Sequence, residues 1–302
     1  MNNDEFYLSD EDLKLLKKEF EPRSNKNHDK KKKRKRLKVK NLMLLIIFLV
    51  LLIVFIISII KVISWHNDSK ETKKQEEIIK KAETKEVTDN DQTEVIASDE
   101  DEDNTYWDYI KMNLMDVDLN ELKKINSDVT GWISVNGTNI NYPFVQTSDN
   151  KYYLKHSLDK SYNEAGWVFL DYRNSKSSYD KNNILYAHGR VDTTMFGSLK
   201  NILKSNWYEN KNNHVIKTSN EYENSLWQVF SVYKINTTSD YLQTKFNTDE
   251  EFLSFANRLK ERSYYDFKVT LQKTDKILTL STCYNSKQRV VMHAKLIKTQ
   301  KK

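Results

Sequence analysis

The chain of 302 residues has one cysteine, two prolines and five glycines. A lone cysteine, Cys283, forms no internal disulfide and supplies no multi-thiolate metal site, so both of those stabilising frameworks are excluded. The few glycines and prolines are unusual for a β-rich extracellular protein. No internal repeat is visible. A dominant charge is also lacking, because the formal charge of +6 averages a basic start, an apolar run and an acidic stretch. That local basic block is not a domain-wide nucleic-acid surface, and no nucleic-acid partner is expected.

From Leu42 to Ile60 every residue except Ser58 is apolar. At helical rise the run spans about 28 Å, close to the roughly 30 Å hydrocarbon core of a bilayer. A buried core helix carries a polar stripe, and this run has none. Lys61 and Trp65 follow at headgroup depth. The run is too long for a signal-peptide core, and no small-residue cleavage pattern follows it. Residues 42–64 are expected to form one transmembrane helix in contact with lipid. Basic residues Lys30 to Arg36, Lys38 and Lys40 precede it, whereas Glu71, Glu76 and Glu77 interrupt the lysines beyond it. The positive-inside rule makes 1–41 a basic cytoplasmic tail of a single-pass protein and places the rest outside the cell membrane.

Residues 65–104 are rich in Lys, Glu, Asp and Thr, contain no Gly or Pro, and end in the acidic run Asp99 to Asp103. High charge and low hydrophobicity predict a solvated extracellular tether, partly helical around Glu76 to Lys81. A folded domain over 105–302 then begins near Tyr106. Helical spacing is expected across 107–125, with Trp107, Ile110, Leu114, Leu119, Leu122 and Ile125 apolar. After Gly131 come nine short strand-like stretches, at 132–135, 139–145, 166–171, 183–187, 214–217, 227–234, 269–272, 277–283 and 289–298. Many short strands separated by turn residues predict a mainly β fold, a closed barrel or a sandwich. One helix interrupts them: Thr248 and Glu251 form a capping box ahead of Phe252, Phe255, Ala256 and Leu259.

The segment Lys276-Ile-Leu-Thr-Leu-Ser-Thr-Cys283 reads as a strand ending at the only thiol, and Arg289 opens the next strand. A strand-end nucleophile is rigid yet faces solvent, and an Arg across the connecting loop suits a thiolate or a developing oxyanion. A packed, inert thiol beside a surface cation is the other reading. A thiol nucleophile needs a proton-transfer partner. His28 and His66 fall outside the folded domain, and His156 and His214 sit beside turn-like or charged sequence. His188 ends the strand Asn183–Ala187 ahead of Gly189 and is favoured on strand-end geometry, with His293 as the alternative.

Thr279-Leu-Ser-Thr-Cys283 followed by Arg289 resembles the sortase signature, and Leu185-Tyr-Ala-His188 resembles the sortase histidine motif. Asn141-Tyr-Pro-Phe-Val-Gln146, Asp149–Leu154, Phe169-Leu-Asp-Tyr-Arg-Asn174, Thr194–Phe196 and Asp240–Phe246 continue the likeness, to class B sortases in particular, across nearly all of 107–299. The resemblance implies an eight-stranded β-barrel with N-terminal helices and a helix between strands six and seven. It also implies His188 as the histidine of a cysteine transpeptidase at a Gram-positive cell surface. In that reaction Cys283 attacks the Thr carbonyl of a C-terminal sorting motif on a surface protein and forms a thioacyl-enzyme. His188 moves the proton, Arg289 binds the oxyanion, and a cell-wall peptidoglycan precursor supplies the amine. No metal or cofactor is implied.

The same likeness assigns the sorting-peptide groove to Asn150, Leu154, Tyr186, Thr237, Tyr241, Leu242 and Ser281. Ordinary core packing is the alternative for Leu154, Leu242, Tyr186 and Tyr241. Two departures bear on substrate preference: a short Cys283–Arg289 loop, and Ala187 and Gly189 flanking the histidine. Pilin polymerisation with a lysine amine, a thiol protease that only hydrolyses, and a non-catalytic membrane-tethered peptide-binding domain are the competing functions. The last would lack one of His188, Cys283 and Arg289, and all three are present.

Overall fold

The computed structural model describes residues 10–19, 39–80, 82, 84–102, 104–283 and 287–302, in two compact units, 1–57 and 58–302. In the first unit α1 (Asp10–Glu19) precedes the start of α2 (Val39–Ile79). The apolar run lies within α2, and its side chains from Leu42 to Ile57 are exposed. A helix that long, with no buried stripe in its apolar part, is consistent with a membrane anchor. The basic block Lys30–Lys38 lies outside the described residues.

In the second unit, β1 (Thr84–Val87) and β2 (Thr93–Val95) lead to α3 (Tyr106–Tyr109), β3 (Leu114–Val117) and α4 (Asn120–Ile125). The strands β4 (Val129–Val135), β5 (Asn141–Val145), β6 (Phe169–Leu170) and β7 (Asn182–Ala187) follow. Then come α5 (Ser205–Glu209), β8 (Val215–Asn220), β9 (Glu223–Asn236), α6 (Asp249–Glu261), β10 (Ile277–Cys283) and β11 (Gln288–Lys301). The order β10-β7-β6-β5-β4-β8-β9-β11, closed by pairing of β10 with β11, makes an eight-stranded barrel. The pairs β7–β10 and β5–β6 are parallel and the others antiparallel. Closure removes the exposed edges that an open sheet would present. The barrel is thus the expected one, and α6 lies between its sixth and seventh strands. Thr248 Oγ1 accepts the Glu251 N–H at 3.0 Å, which satisfies an orphan donor of α6. Phe252, Phe255, Ala256 and Leu259 share one core with Phe230 and Val232 of β9.

Three expectations are corrected. The stretch 65–104 is not a solvated tether: α2 continues to Ile79, β1 pairs with β3, and β2 pairs with the end of β11. Its charges hid this because they are used in pairs. Lys295 Nζ, buried in β11, donates to Glu100 at 3.0 Å, Ser98 at 2.8 Å and the Thr270 carbonyl at 2.7 Å, which fills all three ammonium donors. Second, 107–125 is two short helices around a strand, since β3 finds its partner in the supposed tether. Third, 269–272 forms no strand, because side chains occupy its backbone groups. Glu100 takes the Thr270 N–H, Lys295 the Thr270 carbonyl and Lys260 the Val269 carbonyl.

Candidate active site

Strand pairing brings Cys283, His188 and Arg289 to one rim of the barrel. On the parallel pair β7–β10, Ala187 lies opposite Thr282, so the next residues, His188 and Cys283, are neighbours at the strand ends. On the antiparallel pair β10–β11, Cys283 lies opposite Arg289. Adjacent strands stand about 4.8 Å apart, so the three residues sit at one end of three neighbouring strands. Thr282 Oγ1 donates to the Ala187 carbonyl at 2.8 Å, which ties the two strand ends together.

His188 is half-buried, and its Nε2 lies 2.8 Å from the Leu154 carbonyl. A carbonyl only accepts, so Nε2 carries the proton in this contact and the tautomer is set. The chain passes close beneath the ring at Gly166, whose φ is +62°. A Cβ there would stand 2.5 Å from the Tyr153 carbonyl oxygen and 3.1 Å from His188 Cδ2, so only glycine fits.

His293 is placed quite differently. It is fully buried, with Nε2 2.9 Å from the Tyr233 hydroxyl and Nδ1 2.9 Å from Thr279 Oγ1. Thr279 donates its hydroxyl proton to Asn182 Oδ1 at 2.7 Å, so it accepts from Nδ1–H, and Tyr233 donates to Nε2. The ring is a neutral core residue whose pKa burial pushes down to about 3. His214 is likewise buried, with its pKa pushed down to about 4, and His156 stacks on Tyr152.

A cavity of about 670 Å³ opens beside the rim and is lined by His188 and Arg289. Asn150, Leu154, Tyr186, Thr237, Tyr241, Leu242 and Ser281 all line it too, so the residues that the resemblance assigned to the groove meet in one place. Leu154 is 37% exposed, which is not the burial of a core leucine. Tyr241 is buried, and its hydroxyl meets Ser281 Oγ at 2.9 Å across the floor. Arg289, half-buried, donates from Nη1 to the Gln288 carbonyl at 3.1 Å.

The wall of this groove is held by two residues that the sequence did not single out, Asp171 and Arg173. Asp171 is fully buried and accepts from Arg173 Nε at 2.9 Å and Nη2 at 2.8 Å, from the Tyr186 hydroxyl at 2.9 Å and from Asn150 Nδ2 at 3.0 Å. Burial alone would raise its pKa, but the Arg173 guanidinium and the other donors outweigh this and hold the carboxyl below its usual range. Arg173 Nη2 also donates to the Leu242 carbonyl at 2.9 Å, which fastens the loop after β9 to the barrel wall. The signal was an Asp-Tyr-Arg run leaving a strand: an Asp carboxylate that accepts the N–H two residues on closes a turn, which brings the Arg at that position against it. Among the described residues no group of three His, Cys, Asp or Glu side chains is arranged to hold a metal ion.

Comparison with known proteins gives a consistent result. The Sortase domain family matches residues 133–297. Sortase B of Staphylococcus aureus is 37% identical over 181 residues, covering 59% of this chain and 73% of that protein. Among solved structures, a Staphylococcus aureus sortase B–substrate complex is similar at a TM-score of 0.56 and 36% identity, over 60% of this chain and 84% of that one. Sortase B from Bacillus anthracis, in complex with AAEK1, is similar at a TM-score of 0.61 and 32% identity, over 78% of this chain and 99% of that one.

Proposed function

Because the chain belongs to the sortase B family of cysteine transpeptidases, we propose that it cleaves a C-terminal sorting motif after Thr and transfers the protein to a cell-wall precursor amine. The observation that supports this reading is the strand register, which pairs Cys283 with Arg289 and sets it one residue beyond the Thr282–Ala187 pair that precedes His188. The Cys283 thiolate attacks the Thr carbonyl, and the tetrahedral oxyanion is held by the Arg289 guanidinium. The C–N bond breaks as His188, the imidazolium partner of the thiolate in this reading, gives the proton on Nδ1 to the departing amine, leaving a thioacyl-enzyme and a neutral ring. The incoming amine then attacks, His188 takes its proton, and the C–S bond breaks to restore the thiolate. Since Nε2 is engaged by the Leu154 carbonyl, Nδ1 is the nitrogen assigned to this exchange.

Asn150, Leu154, Tyr186, Thr237, Tyr241, Leu242 and Ser281 form the peptide groove in this reading, and the substrate-bound Staphylococcus aureus relative supports a sorting-motif peptide as its occupant. The asymmetry of basic charge around the apolar helix supports residues 1–41 as cytoplasmic, 42–64 as the lipid-embedded anchor and 105–302 as an extracellular catalytic domain. Incubation of the full chain with a library of pentapeptide sorting motifs and an amine, read by mass spectrometry, tests the function. A thioacyl adduct ending in Thr, consumed on addition of amine, is the expected outcome. Turnover with no adduct and no dependence on amine would reject it.

A further inference from the structure

The part of α2 beyond the apolar run lies against the barrel through a stripe of mostly polar residues. Its buried positions are Ser69, Thr72, Gln75 and Ile79. Spaced three or four residues apart, they share one helix face. Ser69 Oγ accepts from Arg190 Nη2 at 2.6 Å and donates to Asp192 Oδ2 at 2.7 Å. Thr72 Oγ1 accepts from Asn163 Nδ2 at 3.2 Å.

These contacts fall on the two segments that flank His188. Arg190 and Asp192 belong to the turn that leaves the histidine, and both side chains are nearly buried. Within that turn Asp192 accepts from Arg190 Nη2 at 2.9 Å and from Thr194 Oγ1 at 2.6 Å, and the His188 carbonyl accepts the Phe196 N–H at 3.0 Å. On the other side, Asn163 starts the turn that ends at Gly166, receiving the Ala165 N–H at 2.8 Å and the Gly166 N–H at 3.0 Å. Gly166 is the residue lying against the His188 ring. One face of one helix therefore grips both sides of the histidine.

We infer that Ser69 and Thr72 are positioning residues for His188, so that the segment following the membrane anchor is a working part of the active site. The inference rests on the proton-transfer role proposed for His188. Ser69 closes the Arg190–Asp192 pair from outside and Thr72 holds the Asn163 turn, and together they fix the orientation of the imidazole. Misplacement of a catalytic group by about 1 Å can cost about 10²-fold, and loss of two bracing hydroxyls removes part of that alignment.

The test uses the full chain in detergent micelles, comparing wild type with Ser69→Ala/Thr72→Ala, with Ser69→Thr/Thr72→Ser, and with His188→Ala as control. Steady-state transfer to an amine gives kcat and KM, and NMR follows the His188 ring signals through a pH titration. The alanine pair should lower kcat on the order of tenfold, leave KM within about twofold, and change the His188 ring shifts and titration. The pair that keeps both hydroxyls should restore all three. A wild-type kcat in the alanine pair overturns the inference, and so does a loss that tracks the thermal melt while the His188 signals stay unchanged. An active His188→Ala control would instead reject the role of His188 itself, whatever the paired variants do.

Discussion

Thr282 and Ala187 are joined by a 2.8 Å hydrogen bond from hydroxyl to carbonyl, and each immediately precedes a residue of the proposed reaction, Cys283 and His188. Both are buried, so the bond forms where water does not compete for it. A slip of one residue between β7 and β10 would turn the inward-facing residues of the slipped strand outward. The alignment of the proposed nucleophile and proton carrier is therefore a property of the barrel core and not of a loop.

His188→Ala is expected to slow turnover by about 10²–10⁴-fold, the usual value of a positioned acid–base group. His293→Ala should instead lower the melting temperature, since it leaves Thr279 and Tyr233 without their buried partner. Its turnover per folded molecule should stay near wild type. Steady-state rates with melting curves on both variants decide this, and equal catalytic losses would contradict the assignment.

Arg289→Lys keeps the charge but not the planar fork of donors. Its turnover should fall by about 10²–10³-fold, as for loss of an oxyanion donor. Single-turnover mass spectrometry should show both acylation and transfer slowed, because each passes through a tetrahedral intermediate. Near-native turnover would mean that Arg289 supplies only bulk charge.

Asp171→Asn removes the charge on which Arg173, Tyr186 and Asn150 converge. A lost charge-assisted hydrogen bond is worth about 1.5–3 kcal/mol, so KM for the sorting peptide should rise at least about tenfold, with a smaller change in kcat. Unchanged KM would show that the groove wall does not depend on this carboxylate.

Stability should fall as pH drops below about 6.5, the ordinary histidine value. His293 and His214 are held neutral by burial, with pKa values near 3 and 4, so between those values and the ordinary one the unfolded chain binds more protons. At pH 5 the loss is roughly 2 kcal/mol per histidine. Asp275, whose pKa burial raises, works in the opposite direction and offsets part of it. Denaturant titrations at pH 7 and pH 5 measure the sum, and His293→Gln should remove about half of the histidine contribution. Equal stability at the two values would contradict the burial argument.

The barrel strands were legible because their β-branched and aromatic residues recur at short intervals, and α6 because Thr248 and Glu251 mark its start. The groove residues were legible only through resemblance, since Leu154, 37% exposed, and Tyr241, buried, look alike as isolated apolar letters. The docked half of α2 escaped because its buried stripe is Ser69, Thr72 and Gln75, which apolar periodicity passes over. Glu100 and Lys295 escaped for a related reason. Each reads as a surface charge, and only a partner 195 residues away in sequence makes their burial tolerable. The Asp171–Arg173 pair was in view as a motif, but its partners Tyr186, Asn150 and Leu242 come from three other parts of the chain.

Cys283, the only thiol in the chain, is the residue proposed to carry the acyl group. Wild type and Cys283→Ala, purified as full chains, are incubated with a sorting-motif peptide and an amine, and intact-mass spectrometry follows adduct and product over time. A thioacyl adduct and amine-dependent product are expected with wild type, and neither with Cys283→Ala. Product formed by the folded alanine variant at a rate near wild type would contradict it.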